Sequence, residues 1–88
     1  MTSATVRILN EKGLHARAAA AFVRSANAFA ADVSVEKDGQ EVSGHSILGL
    51  MMLGAACGTD ITISCSGEQA GEALAALEKL VKDRFNED

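Results

Sequence analysis

The stretch Gly13-Leu14-His15-Ala16-Arg17 joins the first strand-like segment of the chain to its first helical segment. Residues 5–9 alternate between polar and apolar side chains and predict a strand. Residues 16–31 are rich in alanine and predict a helix. His15 is therefore predicted at or beside the position where a loop becomes a helix, next to the first backbone N–H groups of that helix.

Three features of this stretch suit a phosphate group. The partly positive N-terminus of a helix stabilises an anion. Arg17 adds a permanent cation whose fork of donors matches phosphate oxygens. A histidine can act as a nucleophile or a proton carrier near neutral pH. We therefore predict that His15 handles a phosphate.

Other chemistry at His15 is poorly supported. The only other histidine, His45, lies thirty positions away without metal-ligand spacing. A catalytic triad would need a serine or cysteine and an orienting carboxylate at a recognisable position, and a nucleotide site would need a glycine-rich loop. The remaining possibility is that His15 itself accepts a group covalently, and a phosphoryl group suits this site best. No metal and no cofactor are expected.

The composition predicts one domain, residues 1–88, in a reducing compartment. The mean hydropathy is +0.12 and the only aromatic residues are three phenylalanines, so the core is expected to be mainly aliphatic. Cys57 and Cys65 fit neither a disulfide framework nor a zinc or redox motif. The longest apolar run, residues 47–57, is too short to span a membrane, and the first residues do not resemble a signal peptide. We expect a cytoplasmic, soluble monomer.

The net charge of −4 conceals an asymmetry, because residues 1–24 carry +3 and residues 25–88 carry −7. His15 thus lies in the only basic region of an acidic protein. This distribution argues against general nucleic-acid binding, which requires a broad basic face. It is compatible with a phosphate ligand or an acidic partner surface near residues 7–24.

The remaining patterns predict an α+β fold. Strands are expected at residues 32–36, 41–43 and 60–65, and Asp38-Gly39 indicates a hairpin between the first two. Helices are expected at residues 47–53 and from a capping box on Ser66 and Gln69 to about Arg84, with residues 86–88 as a solvated tail. The order β-α-β-β-α-β-α predicts an open-faced sandwich, in which a four-stranded, mostly antiparallel sheet is covered on one face by three helices.

The second helix is apolar on all sides, which a domain of this size can hardly bury completely. We expect part of it to be exposed as a docking surface for partners. On the first helix, small side chains between two arginines allow another protein to approach closely. The predicted docking residues are Ala16, Ala20, Arg24, Ile47, Leu48 and Met51.

Ser46 precedes this second helix and is first of all a good N-cap. The other interpretation is a regulatory phosphorylation site, since a phosphate there would place about −2 charge beside the apolar surface.

Residues 13–19 (Gly-Leu-His-Ala-Arg-Ala-Ala) and residues 46–54 (Ser-Ile-Leu-Gly-Leu-Met-Met-Leu-Gly) together resemble the two signatures of the HPr family, the histidine phosphocarriers of the bacterial phosphotransferase system. The resemblance covers essentially the whole chain. It implies that phosphoenolpyruvate phosphorylates enzyme I and that enzyme I transfers the phosphoryl group to Nδ1 of His15. It also implies that this protein then passes the phosphoryl group to an enzyme IIA domain. It also implies that Arg17 neutralises the phosphate, and that Ser46 matches the residue modified by HPr kinase/phosphorylase.

Two positions depart from the family pattern. Ala18 replaces the usual proline, for which we expect a small change in rigidity. His45 directly precedes Ser46, at a position where the family often has a basic residue. This difference could affect the recognition of Ser46 by a kinase. The resemblance is compatible with a role in sugar uptake and with a role in a regulatory, nitrogen-related branch of the phosphotransferase system. Alternatives are a non-phosphorylated regulatory module that docks through the second helix, although the HPr-like regulators lack the histidine, and a small-molecule-binding domain.

Overall fold

The computed structural model describes residues 1–87 and has the predicted element order. The strands are β1 (Thr2–Arg7), β2 (Asp32–Lys37), β3 (Gln40–Ser43) and β4 (Asp60–Ser66). The helices are α1 (Ala16–Ala26), α2 (Ile47–Met52) and α3 (Ala70–Lys82). None of the helices in the described part of the chain is long and apolar enough to cross a membrane.

The four strands form one sheet in the order β1-β4-β2-β3, and all three pairings are antiparallel. Alternate side chains are buried in β2 and β4, as the alternation predicted: Val33 and Val35 in β2, and Ile61, Ile63 and Cys65 in β4. In β1 only Val6 is buried, and Ile8, just after the strand, is buried with it. The apolar stripes of α1 and α3 complete this core with Phe22, Leu77 and Val81. The predicted open-faced sandwich is confirmed, because polar residues such as Thr5 and Thr62 occupy the other face of the sheet, where their hydroxyls lie 3.0 Å apart.

The predicted hairpin and the predicted cap of α2 are both confirmed. Asp38 and Gly39 have φ angles of 53° and 83°, the left-handed pair that a tight hairpin turn needs. The Ser46 hydroxyl accepts a hydrogen bond from the Gly49 N–H at 3.0 Å. Only one side of α2 is buried, mainly through Leu50, so the expected partial exposure is also confirmed. Its exposed apolar residues are Ile47, Leu48, Met51 and Met52.

The end of α1 and the start of α3 were predicted wrongly, and Gln69 accounts for both. α1 ends at Ala26 rather than Ala31, and α3 starts after Gln69 rather than after a capping box on Ser66. The Gln69 side chain accepts a hydrogen bond from the Ala30 N–H at 2.8 Å, and its backbone N–H donates to the Ala30 carbonyl at 3.0 Å. These contacts hold the segment before β2 in a turn that a continuing helix would not allow.

The C-terminal segment is only in part the solvated tail that the sequence predicted, because Asn86 is exposed but Glu87 is half-buried. α3 ends at Lys82 instead of near Arg84, and Arg84–Asn86 form a turn with φ angles of 56° to 60°, in the left-handed region. The turn places the Phe85 side chain in the core, where it is 5% exposed. Glu87 then lies against the first helix, and Asp88 lies outside the described residues.

Candidate functional site

His15 is the N-cap residue of α1, as the sequence predicted. Its backbone is extended, with φ −82° and ψ −176°, and its carbonyl accepts the first helical hydrogen bond from the Ala19 N–H at 2.8 Å. Its ring nitrogen Nδ1 accepts a hydrogen bond from the Arg17 N–H at 3.3 Å. Nδ1 therefore faces the free N–H groups of the first helical turn, where a bound anion is stabilised.

The loop before His15 is held in place by the loop that precedes β4. Gly13 has φ +67°, and a Cβ at this position would lie 2.5 Å from the Ala55 carbonyl oxygen. The same oxygen accepts a hydrogen bond from the Leu14 N–H at 2.9 Å. Glycine is therefore required at position 13 both by the backbone conformation and by the close approach of the second loop.

A carboxylate that sequence reasoning missed contacts the other ring nitrogen. Glu87 Oε2 lies 2.7 Å from His15 Nε2, and Glu87 Oε1 accepts a hydrogen bond from Asn10 Nδ2 at 3.1 Å. Asn10 is only 1% exposed and also donates from Nδ2 to the Gly13 carbonyl at 2.7 Å. Both partners of Nδ2 are acceptors, which fixes the orientation of the Asn10 amide.

These partners assign the tautomer of His15. Nδ1 faces a backbone donor and therefore carries a lone pair, whereas Nε2 faces a carboxylate and therefore carries the proton. The neutral ring thus presents Nδ1 as a nucleophile toward the N-terminus of α1. The arrangement can form a covalent bond at Nδ1 without first removing a proton from that atom.

Glu87 is ionised at neutral pH. Desolvation raises the pKa of its carboxyl group, but the hydrogen bonds from His15 and Asn10 and the electrostatic fields of His15 and Arg17 lower it, and the net pKa lies below the usual value. A carboxylate accepts hydrogen bonds from Asn10 and His15 at the same time, as both distances require.

A cleft of about 450 Å³ opens beside this network. It is lined by Glu11, Lys12, Arg17, Phe85, Asn86 and Glu87. Lys12 and Arg17 bring two cations to this cleft, and Glu87, which contacts His15, lies on the same lining. Groups of three or more potential metal-ligating residues do not occur among residues 1–87, so the described site shows no cluster suited to a metal ion.

The other predicted site residues lie on the helical side of the fold. Ala16, Arg17 and Arg24 are exposed on α1 and Ala20 is half-buried, while the exposed residues Ile47, Leu48 and Met51 belong to α2, which packs against α1. Ser46 and the neighbouring His45 are half-buried, and the His45 ring contacts Asn27 Oδ1 at 2.6 Å. Within residues 1–87, the hydrogen bonds of these two residues do not reach His15.

Known proteins are similar to this chain over nearly its whole length. The family model described as "PTS HPr component phosphorylation site" matches residues 2–83. The phosphocarrier protein HPr of Neisseria meningitidis serogroup A is 42% identical over 87 residues, which are 99% of this chain and 98% of that protein.

Two solved structures show the same fold. HPr-C-His from Thermoanaerobacter tengcongensis has a TM-score of 0.96 and 41% identity, covering 100% of this chain and 99% of that one. The catabolite repression protein Crh of Bacillus subtilis, described as a swapped dimer, has a TM-score of 0.78 and 43% identity, covering 96% and 97% of the two chains. This chain therefore belongs to the HPr family, and it is a phosphoryl carrier of the phosphotransferase system, a substrate of the enzymes of that system rather than a catalyst.

Proposed function

We propose that His15 is the phosphoryl acceptor of this carrier and that Nδ1 is the nitrogen that becomes phosphorylated. The observation that carries the proposal is the position of Nδ1, which faces the N-terminus of α1 with an unprotonated lone pair that accepts a hydrogen bond from the Arg17 N–H. The phosphoryl oxygens would be stabilised by the N–H groups of the first turn, including that of Arg17, which now donates to Nδ1. The Arg17 guanidinium supplies further charge-assisted hydrogen bonds.

The donor is proposed to be phosphorylated enzyme I and the acceptor an enzyme IIA domain. Both would dock on the exposed surface formed by Ala16, Ala20 and Arg24 of α1 and by Ile47, Leu48 and Met51 of α2. Leu48 is 68% exposed, an unusual position for a large apolar side chain, and partner binding would remove it from water. The two helices pack together, so one partner surface can span them.

Labelled phosphoenolpyruvate and enzyme I test this proposal. We expect an acid-labile, base-stable phosphoryl adduct on the wild type and none on His15→Ala, whereas His45→Ala, which removes the other histidine, keeps the label. A label that persists in His15→Ala would refute the assignment. For docking, Leu48→Ala is expected to reduce kcat/KM with enzyme I about tenfold, and Glu68→Ala, on an exposed residue before α3, to leave it unchanged.

Ser46 is proposed as a regulatory phosphorylation site for an HPr kinase/phosphorylase. Its hydroxyl caps α2 beside the exposed apolar residues, so a phosphate there would place negative charge on the docking surface and weaken partner binding. The test is ATP-dependent labelling by that kinase, which Ser46→Ala should abolish. The His45 ring, which precedes Ser46, contacts Asn27 Oδ1. A wild type that the kinase leaves unlabelled would refute Ser46 as its target.

We further propose that the protein acts in the cytoplasm as a monomer, in sugar uptake or in a regulatory branch related to nitrogen. The swapped dimer of Crh makes the oligomeric state a point to measure, by sedimentation at several concentrations. The similarity to Crh, an HPr-like protein, also favours a second, regulatory role, in which α2 docks partners while His15 is unphosphorylated. Labelling of His15 by enzyme I would exclude a purely non-phosphorylated role.

A further inference from the structure

We infer that Glu87 is a positioning residue for phosphoryl transfer at His15. Its carboxylate keeps the proton on Nε2, so that Nδ1 is the nucleophile, and it balances the positive charge that the ring gains when Nδ1 binds phosphorus. The inference rests on the proposed function of His15 and deepens it.

The distances show which contact governs the ring. Glu87 Oε2 lies 2.7 Å from Nε2, the range of a strong hydrogen bond to a charged acceptor, whereas the Arg17 N–H lies 3.3 Å from Nδ1. The backbone donor alone therefore holds the tautomer weakly. Removal of the carboxylate should allow the proton to populate both nitrogens.

Glu87 is held at the ring by several independent contacts. Its second carboxylate oxygen accepts from the buried Asn10, and its backbone N–H donates to the Arg84 carbonyl at 2.9 Å. The side chain of Phe85, two residues earlier, is buried in the core. The Glu87 side chain is 15% exposed, well below the value of a freely solvated side chain. The contact to His15 is thus fixed by the fold around it.

The transfer step balances without an additional base. The Nδ1 lone pair forms the N–P bond while the bond from phosphorus to the leaving atom breaks, and its electron pair departs with the leaving group. The ring retains the Nε2 proton and becomes a cation, with the Glu87 carboxylate beside it. When phosphorus moves to the next acceptor, the electron pair returns to Nδ1 and the ring becomes neutral again. The carboxylate lies at Nε2, on the edge of the ring away from phosphorus, so it is nearer to the cationic ring than to the phosphoryl group.

The first measurement is the proton position on the His15 ring, read from its ¹⁵N resonances in the unphosphorylated protein above neutral pH. We expect the Nε2–H tautomer in the wild type, because both Glu87 oxygens are acceptors and serve His15 Nε2 and Asn10 Nδ2 at the same time. Glu87→Gln is expected to show less of this tautomer, because its single amide oxygen can face only one of the two donors. Glu87→Ala is expected to show a mixture of both tautomers. Glu68→Gln, which changes an exposed carboxylate elsewhere on the surface, should match the wild type.

The second measurement is the rate at which labelled phosphoramidate phosphorylates His15. This small donor needs no protein partner, so the rate reports the ring and its surroundings rather than docking. Glu87→Gln is expected to react about tenfold more slowly, since it lacks the negative charge beside the ring, and Glu87→Ala at least as slowly. Glu68→Gln is expected to react at the wild-type rate.

Several results would overturn the inference: a pure Nε2–H tautomer in Glu87→Ala, or a Glu87→Gln rate equal to or above that of the wild type. An increased rate would mean that the carboxylate repels the incoming phosphoryl group. These failures are distinct from failure of the proposed function, in which the wild type itself would acquire no label at His15 from either phosphoramidate or enzyme I.

Discussion

Replacement of Gly13 by alanine tests whether the contact between two loops holds the phosphoryl site together. Gly13 and Gly54 have nearly the same left-handed backbone, with φ of +67° and +64°. A Cβ on Gly54 would meet no atom within 4 Å, whereas a Cβ on Gly13 would lie 2.5 Å from the Ala55 oxygen and 2.9 Å from the Ala56 Cα. The two substitutions therefore share the conformational cost and differ in the steric one.

The expected magnitudes follow from these two terms. A non-glycine residue in the left-handed region costs about 1–2 kcal/mol, which is the whole effect expected for Gly54→Ala. Overpacking against a backbone that cannot easily move adds about 1–3 kcal/mol, so Gly13→Ala should lose about 2–5 kcal/mol of unfolding free energy. A domain of this kind has about 5–15 kcal/mol in total, so the loss is large.

Urea denaturation of the two variants and the wild type measures both terms under the same conditions. The difference in unfolding free energy between Gly13→Ala and Gly54→Ala isolates the clash with Ala55. Equal destabilisation of the two variants, within about 0.5 kcal/mol, would show that the loops separate without cost and would refute the reasoning. Phosphoryl labelling of His15 in the folded fraction should fall in Gly13→Ala alone.

Three further predictions concern stability and the first helical turn. Ser46→Ala should lower the unfolding free energy, measured in urea, by about 1 kcal/mol, because the Gly49 N–H loses its hydrogen-bond acceptor. Ser46→Asp should keep most of the wild-type stability, because aspartate is also a good N-cap. Equal losses of stability in the two variants would contradict the capping role. Burial raises the pKa of the Cys65 thiol, so above about pH 8.5 the unfolded chain releases a proton that the folded chain keeps, and stability should fall as pH rises. Cys65→Ala should reduce the dependence of the unfolding free energy on pH between pH 8 and pH 10. An unchanged dependence would mean that other titrating groups cause it. Ala18→Pro should keep His15 labelling within about twofold and raise the unfolding free energy by about 0.4–1 kcal/mol, since position 18 lies in the first helical turn; a loss of stability would show that the proline ring does not fit there.

Local patterns predicted the four strands and the beginning of the site, although the first strand lies at Thr2–Arg7 rather than at residues 5–9. The alternation at Val33 and Val35 identified the buried face of β2, because side chains of a strand point to opposite faces in turn. The change from a strand pattern to an alanine-rich run located His15 at the start of α1, where the structure has it. Each of these features is encoded by neighbouring residues.

The errors came from contacts between residues distant in sequence. The alanines after Ala26 favour a helix by their own propensity, but Ala30 is bound by Gln69, thirty-nine positions later. Glu87 belongs to a polar C-terminal segment that looks solvated, and its contact to His15 spans 72 positions. Asn10 has the composition of an ordinary loop residue and becomes informative only when its buried amide is seen between Gly13 and Glu87. No local pattern predicts such pairs.

The strand order β1-β4-β2-β3 has a consequence for how the protein folds. β4 is the last strand to be synthesised, yet it lies between β1 and β2 and pairs with both. Its pairing with β1 joins Thr2 to Cys65 and Arg7 to Asp60, contacts of high sequence separation that form slowly because the chain entropy of the intervening loop must be lost first. The loop of His15 is anchored to the segment that leads into β4. A chain that has formed only the β2–β3 hairpin and isolated helical turns therefore cannot present the site, and we expect phosphoryl acceptance to appear only with completion of the sheet.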